Sequence, residues 1–165
     1  MPSKVQMTLT ITSPAFDNGG VIPSKYTCDG ENLSPGIAWE GVPEGTRSLI
    51  IIMEDHDIPT PWLRLFTWVH WIVYNISPDK GSLPEALPAT ETLESGALQG
   101  RTSFRRAGYG GPAPLSGTHQ YKFKVYAVDT MLDLEPKKAT KKSILKAIQG
   151  HILAESELIG CYRRQ

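Results

Sequence analysis

Apolar positions recur along this chain with two different spacings, and each spacing predicts a different element. Period two marks strands, because successive side chains of an extended backbone point to opposite faces. Met7 to Ile11 (MTLTI) alternates apolar residues with threonine and predicts a first strand. Arg47 to Met53 (RSLIIIM) is a continuous β-branched run, the pattern of a strand buried on both faces. Trp68 to Ile76 (WVHWIVYNI) predicts a second strong strand, with His70, Ile72, Tyr74 and Ile76 on one face. Tyr121 to Asp129 (YKFKVYAVD) predicts a third, with His119, Tyr121, Phe123, Val125 and Ala127 sharing a face. A spacing of four appears late: Ile144, Ile148 and Ile152, with Leu145 beside them and Thr140 as N-cap. It predicts one C-terminal helix near 140–154, with Glu155 to Gly160 open to continuing it and a terminal strand or tail after that.

Turn residues fill the intervals. Pro14 to Asp29 reads as loop with a short strand near Tyr26, and Ser34-Pro35 opens a short segment ending at Trp39. The acidic run Glu54, Asp55, His56, Asp57 reads as a strand exit, because Pro59 and Pro61 lack the N–H a ladder needs. Ser77 to Glu94 reads as a long connection with at most a turn of helix, and Gly96 to Gly111 as irregular. Strong strands without βαβ alternation predict a mainly β protein, an antiparallel β-sandwich with long loops. A length of 165 residues, with no repeat or compositional break, suits a single domain over 1–165 with its core at about 7–164.

Charge removes some function classes. Seventeen basic and seventeen acidic side chains give a net charge of +0, which argues against nucleic acid as a partner. Lys137, Lys138, Lys141, Lys142 and Lys146 read as a solvated helix start. No run is long enough for a membrane span, and MPSKVQMTLTITSPAF has no apolar signal region, so the expected location is cytoplasmic. Cys28 and Cys161 have no CxxC spacing and read as packed thiols.

Four places concentrate polar chemistry: Asp55 to Asp57, His70, Gly110 to Pro112, and His119 with Tyr121. Taken singly they read as a strand-end cap, a core histidine, a turn, a surface histidine and a core tyrosine. Together they read differently, because loops of a sandwich gather at its ends. Two imidazoles and a phenol supply donors. Gly110 and Gly111 let backbone approach a ligand and offer N–H groups as an anion nest, and Pro112 stiffens the loop. This set suits a compact oxyanion such as a phosphate ester. Asp55 fits only by orienting a histidine or receiving a cationic group, so a zwitterionic head group satisfies both. Acid-base hydrolysis or a metal site on Asp55, His70 and His119 are the alternatives, without a GxSxG or HExxH motif to support them.

The segments SKYTCDGENLSPGIAW, EDHDIP, VHWIVYNI, GYGGPAPLSGTHQYKFKVYAVD and GHILAESELIGCYRR occur in that order. Their series resembles the phosphatidylethanolamine-binding protein family, also called Raf kinase inhibitor proteins, above all its bacterial and archaeal branch. The resemblance runs from about Met7 to Arg164. It implies a Greek-key type β-sandwich and a small anion pocket holding Asp55, His70, Gly111, His119 and Tyr121, shaped by Asp57, Pro59, Gly110 and Pro112. It implies a non-enzymatic binding protein without cofactor or metal, and by analogy alone a kinase partner. The chain departs from the family pattern at His56, a further candidate ligand, and at Leu115, Gln120, Arg105 and Arg106 on the rim. The apolar stretch PWLRLF, with Trp62, Leu63, Leu65 and Phe66, is expected to cover the pocket edge or to form a homodimer contact.

Overall fold

The computed structural model describes residues 8–164, so Met1–Met7 and Gln165 lie outside the described residues. β1 (Thr10–Thr12), β2 (Ile37–Glu40) and β5 (Ser82–Leu83) form a small antiparallel sheet in the order β1-β2-β5. β3 (Ser48–Thr60), β4 (Leu63–Ile76), β6 (Leu98–Gln99), β7 (His119–Val128) and β8 (Ile152–Tyr162) form a larger one in the order β6-β4-β3-β7-β8. The two sheets face each other across one core. Ile11, Ile37, Trp39 and Leu83 from the small sheet meet Leu49, Ile51, Met53, Val73, Phe123 and Val125 from the large one. The outer face of the large sheet carries a second core. There Ile50, Ile52, Ile72 and Tyr74 are covered by Ile144 and Ile148 of α1 (Lys141–Ile148). Apolar residues on both faces of β3 explain its unbroken hydrophobic run.

Several elements depart from the sequence expectations. The segment near Tyr26 is a 3-10 turn, Ser24–Tyr26, not a strand. β3 does not stop at the prolines but passes through Asp55, His56, Asp57 and Pro59 to Thr60. Its ladder with β7 ends at Asp55↔Tyr121, so beyond that point β3 and β4 form a two-stranded ribbon with a free edge. Proline is tolerated on such an edge. The helix ends at Ile148, and Ile152 opens β8 instead. Thr140 caps the helix with Ser143 in a reciprocal capping box, and Gly150 follows at φ 82, a left-handed turn that stops it.

β4 breaks the period-two reading at two bulges. Met53 pairs with Trp71 and Glu54 with Val69, so His70 is the extra residue. A second irregularity lies between the pairs Leu49↔Ile76 and Ile51↔Val73, where Asn75 has φ 54. Ile72 and Tyr74 therefore face the helix side, whereas Ile76 joins the inter-sheet core and His70 packs beside Tyr121. The four residues do not share a face, because each bulge reverses the alternation.

Candidate functional site

A pocket of about 250 Å³ lies where β7 parts from β3, lined by Asp55, Ile58, Trp68, His70, Phe104, Ala113 and Tyr121. It is not the roomiest concavity, so its interest lies in its chemistry. Asp55 and Tyr121 are register partners, which places them on the same side of the sheet, and the bulge in β4 brings His70 to them. The His70 ring meets Tyr121 edge-on at 5.3 Å and Phe104 at 5.4 Å. Trp68 meets the same Phe104 ring at 5.5 Å. The pocket is thus an apolar box with three polar side chains in its wall.

Asp55 is held on both oxygens. Its Oδ2 accepts from His119 Nδ1 at 2.7 Å, and its Oδ1 accepts from the Asp57 N–H at 2.7 Å. His119 Nε2 lies 3.0 Å from the Ser116 carbonyl, so both ring nitrogens are engaged within the protein and His119 sits behind Asp55 rather than in the pocket wall. Asp57 accepts from the Gln120 N–H at 2.9 Å and pairs with Arg64 at 2.8 Å, which ties the β3–β4 ribbon to the start of β7. Pro59 lies in that ribbon, opposite Arg64.

His70 Nδ1 donates to the Gly110 carbonyl at 2.6 Å, which leaves Nε2 as the uncommitted ring nitrogen. Burial, the largest influence, lowers the imidazole below its ordinary value against the opposing pull of the Gly110 carbonyl and the Asp55 charge. Tyr121 is fully buried, and its hydroxyl has no hydrogen-bond partner among the described residues. Burial, with the nearby Asp55 charge, pushes its phenol up, so it remains a donor.

The glycine loop does something other than the expected anion nest. The Gly110 N–H donates to the His70 carbonyl at 3.0 Å, and the Gly111 N–H to Asn32 Oδ1 at 2.8 Å. Both donors are spent. A Cβ on Gly110 would lie 2.3 Å from the Phe104 ring, and one on Gly111 would lie 2.5 Å from the Tyr26 carbonyl. These glycines allow close packing behind the pocket. The Pro112 carbonyl accepts from the Cys28 N–H, which anchors the same loop. Cys28 and Cys161 are free thiols, each half-buried.

His56 turns away from the pocket, to Glu54 at 3.0 Å and Thr67 at 2.9 Å. Within Glu54-Asp55-His56-Asp57 the two aspartates are bonded to each other on the pocket side and Glu54 with His56 on the helix side, while the ladder to β4 shifts register between Asp55 and Ile58. Phe104, Trp68, Ile58 and Ala113 carry no chemical signal as a set, and sequence reasoning missed them as walls. Phe104 is an aromatic inside an otherwise polar loop, the one hint available. Among the described residues no three His, Cys, Asp or Glu side chains converge as metal ligands.

The family model described as phosphatidylethanolamine-binding protein matches residues 12–163. The chain belongs to the phosphatidylethanolamine-binding protein family. A UPF0098 protein of Methanothermobacter thermautotrophicus is 46% identical over 156 residues, covering 94% of this chain and 99% of the relative. The crystal structure of a Chlamydia trachomatis protein, named a putative homologue of this family, has a TM-score of 0.86 at 38% identity, covering 96% of this chain and 99% of that one. E. coli YbcL, described as a member of the mammalian family, has a TM-score of 0.84 at 31% identity, covering 95% and 99%. The mainly β fold, with two antiparallel sheets and one α-helix among the described residues, is that of these family members. No helix among the described residues is long and apolar enough to cross a membrane.

Proposed function

We propose that this chain is a binding protein without catalytic turnover, and that its pocket takes a compact oxyanion head group such as a phosphate monoester. The observation that carries the reading is the Tyr121 hydroxyl, a buried donor without a partner in a pocket that also presents His70. An unpaired buried hydroxyl is costly, and a ligand oxygen would relieve it. His70 is the second contact. As a neutral ring it accepts, at Nε2, the hydroxyl proton of a phosphate monoanion. A dianion requires a proton on Nε2 first. Asp55 then stands beside a cationic group of the ligand, as in phosphorylethanolamine, while His119 fixes its orientation. The engagement of His119 with a backbone carbonyl rather than a hydroxyl supports binding over hydrolysis.

Calorimetric titration with inorganic phosphate and O-phosphorylethanolamine tests this, comparing the wild type with His70→Ala. Saturable binding lost in the variant is expected. Equal binding by both proteins would overturn the site.

We also infer that the tip of the β3–β4 ribbon mediates self-association. Trp62 is 73% exposed, Leu65 60% and Phe66 63%, and Pro61 and Trp62 pack against Gly117 of the loop that carries Leu115, itself 79% exposed. Trp71 is core and Trp68 lines the pocket, whereas Trp62, Leu63, Leu65 and Phe66 form a run of exposed large apolar side chains at the tip.

A further inference from the structure

We propose that a second, basic cleft beside the pocket binds a compact polyanion of the diphosphate or bisphosphate class. The cleft measures about 360 Å³ and is formed by the loop before β7 together with the segments at Glu91 and Lys137. Arg101, Arg105, Arg106 and Lys137 line it, opposed by the single carboxylate of Glu91. None of the four cations forms an ion pair among the described residues, although the chain as a whole has a net charge of +0. The surplus is therefore a local feature and not a by-product of a basic composition.

The backbone that carries these arginines is fixed before any ligand arrives. The Arg106 carbonyl accepts from the Thr102 N–H at 3.1 Å and its hydroxyl at 3.2 Å, and the Arg105 N–H donates to the Thr102 carbonyl at 2.9 Å. The Arg101 N–H donates to the Ala139 carbonyl at 2.8 Å, while Ser103 exchanges bonds with Val69 on β4. Arg105 has φ 62, a left-handed conformation that glycine would adopt more easily. A loop already fixed in its backbone need not be ordered on binding, and guanidinium groups grip phosphate oxygens as two-pronged forks. Three forks and an ammonium exceed what one phosphate can occupy, whereas two linked phosphates match them.

The cleft also has a mechanical link to the pocket. The Arg106 guanidinium lies 5.6 Å from the centre of the Phe104 ring, whose contacts with His70 and Trp68 form the pocket wall. The proposal stands whether or not the pocket binds phosphate, because the two sites share no ligand-contacting side chain.

Calorimetry with inorganic pyrophosphate and inorganic phosphate at matched ionic strength decides the matter. The proteins are the wild type, the double variant Arg105→Ala/Arg106→Ala, the single variant Arg105→Gly and the pocket variant Tyr121→Phe, alone and combined with each arginine variant. Arg105→Gly suits the left-handed backbone, so it removes the side chain without disturbing the loop. Pyrophosphate is expected to bind at least about tenfold more tightly than phosphate and to weaken as salt rises. Both arginine variants should lose about tenfold in pyrophosphate affinity, and the loss should be the same when each is combined with Tyr121→Phe, which removes the pocket contact. Equal affinity for the two anions, or wild-type pyrophosphate binding by Arg105→Gly and the double variant, would overturn the proposal. Loss in Tyr121→Phe but in neither arginine variant would place the pyrophosphate in the pocket and overturn it as well.

Discussion

Replacing Tyr121 by phenylalanine removes one oxygen and leaves the ring in the core. A hydroxyl bonded within the protein would cost stability when deleted, but this one has no partner among the described residues. Tyr121→Phe should therefore unfold at the same or a higher urea concentration, with a gain of up to about 1–3 kcal/mol, and yet bind phosphate less tightly. Clear destabilisation would show that the hydroxyl is satisfied in the folded protein. Asp55→Ala acts in the opposite way. It leaves His119, itself fully buried, without its carboxylate, and should cost about 3–5 kcal/mol in urea unfolding. The sequence announced these residues because Asp, His and Tyr at strand ends are chemically conspicuous. It did not announce Asn32, which takes the Gly111 N–H across a separation of 79 residues, or Phe104, whose role exists only through its neighbours.

Elements were legible where a periodic pattern met no interruption, as in β7, and misread where one residue changed the phase. His70 is the example. A bulge is a backbone event without a residue signature, so alternation assigned His70 to the wrong companions. Ile152 misled in the reverse sense, since its spacing from Ile148 continued a helix that Gly150 had ended. The two-sided placement of Glu54–Asp57 has a testable consequence of its own. Glu54 is fully buried on the helix side, where Lys124 at 2.8 Å, Lys141 of α1 and His56 surround it. Burial pushes its carboxyl up, but bonds and charge from Lys124 and Lys141 outweigh this and bring it down to about 2, from 4.5. A depressed carboxyl contributes stability above its unfolded value and loses it as pH falls toward the folded one. The contribution, on the order of 3 kcal/mol, should thus be present at pH 7 and disappear between about pH 4.5 and 2. Glu54→Gln should lower stability at neutral pH and flatten the acid limb of a denaturation series. An acid limb as steep as that of the wild type would assign the acid sensitivity to other groups.

At the scale of the whole molecule, the strand order explains why residues from Asp55 to Tyr121 meet. β3 lies between β4 and β7, so the ends of three consecutive central strands converge where the ribbon leaves the sheet. The sandwich was legible because three buried strands without βαβ alternation admit few arrangements. The split of the large sheet into two cores was not, because it depends on where α1 docks. The ribbon tip extends from the same place. If it mediates self-association, light scattering should give a mass that rises with concentration, and Trp62→Ser with Leu65→Ser should hold the protein monomeric. A wild-type mass that is monomeric at every concentration would count against that contact. The central claim is that His70 and Tyr121 together receive an oxyanion, and NMR of the histidine rings tests it most directly. The His70 ring signals would be followed while phosphate is titrated into tag-free protein between about pH 5.5 and 8. Burial keeps free His70 below its ordinary value, and a bound anion favours the charged ring. The account predicts saturable shifts, an upward displacement of the His70 titration on binding, and tighter binding as pH falls. A His70 ring that titrates identically with and without saturating phosphate would contradict it.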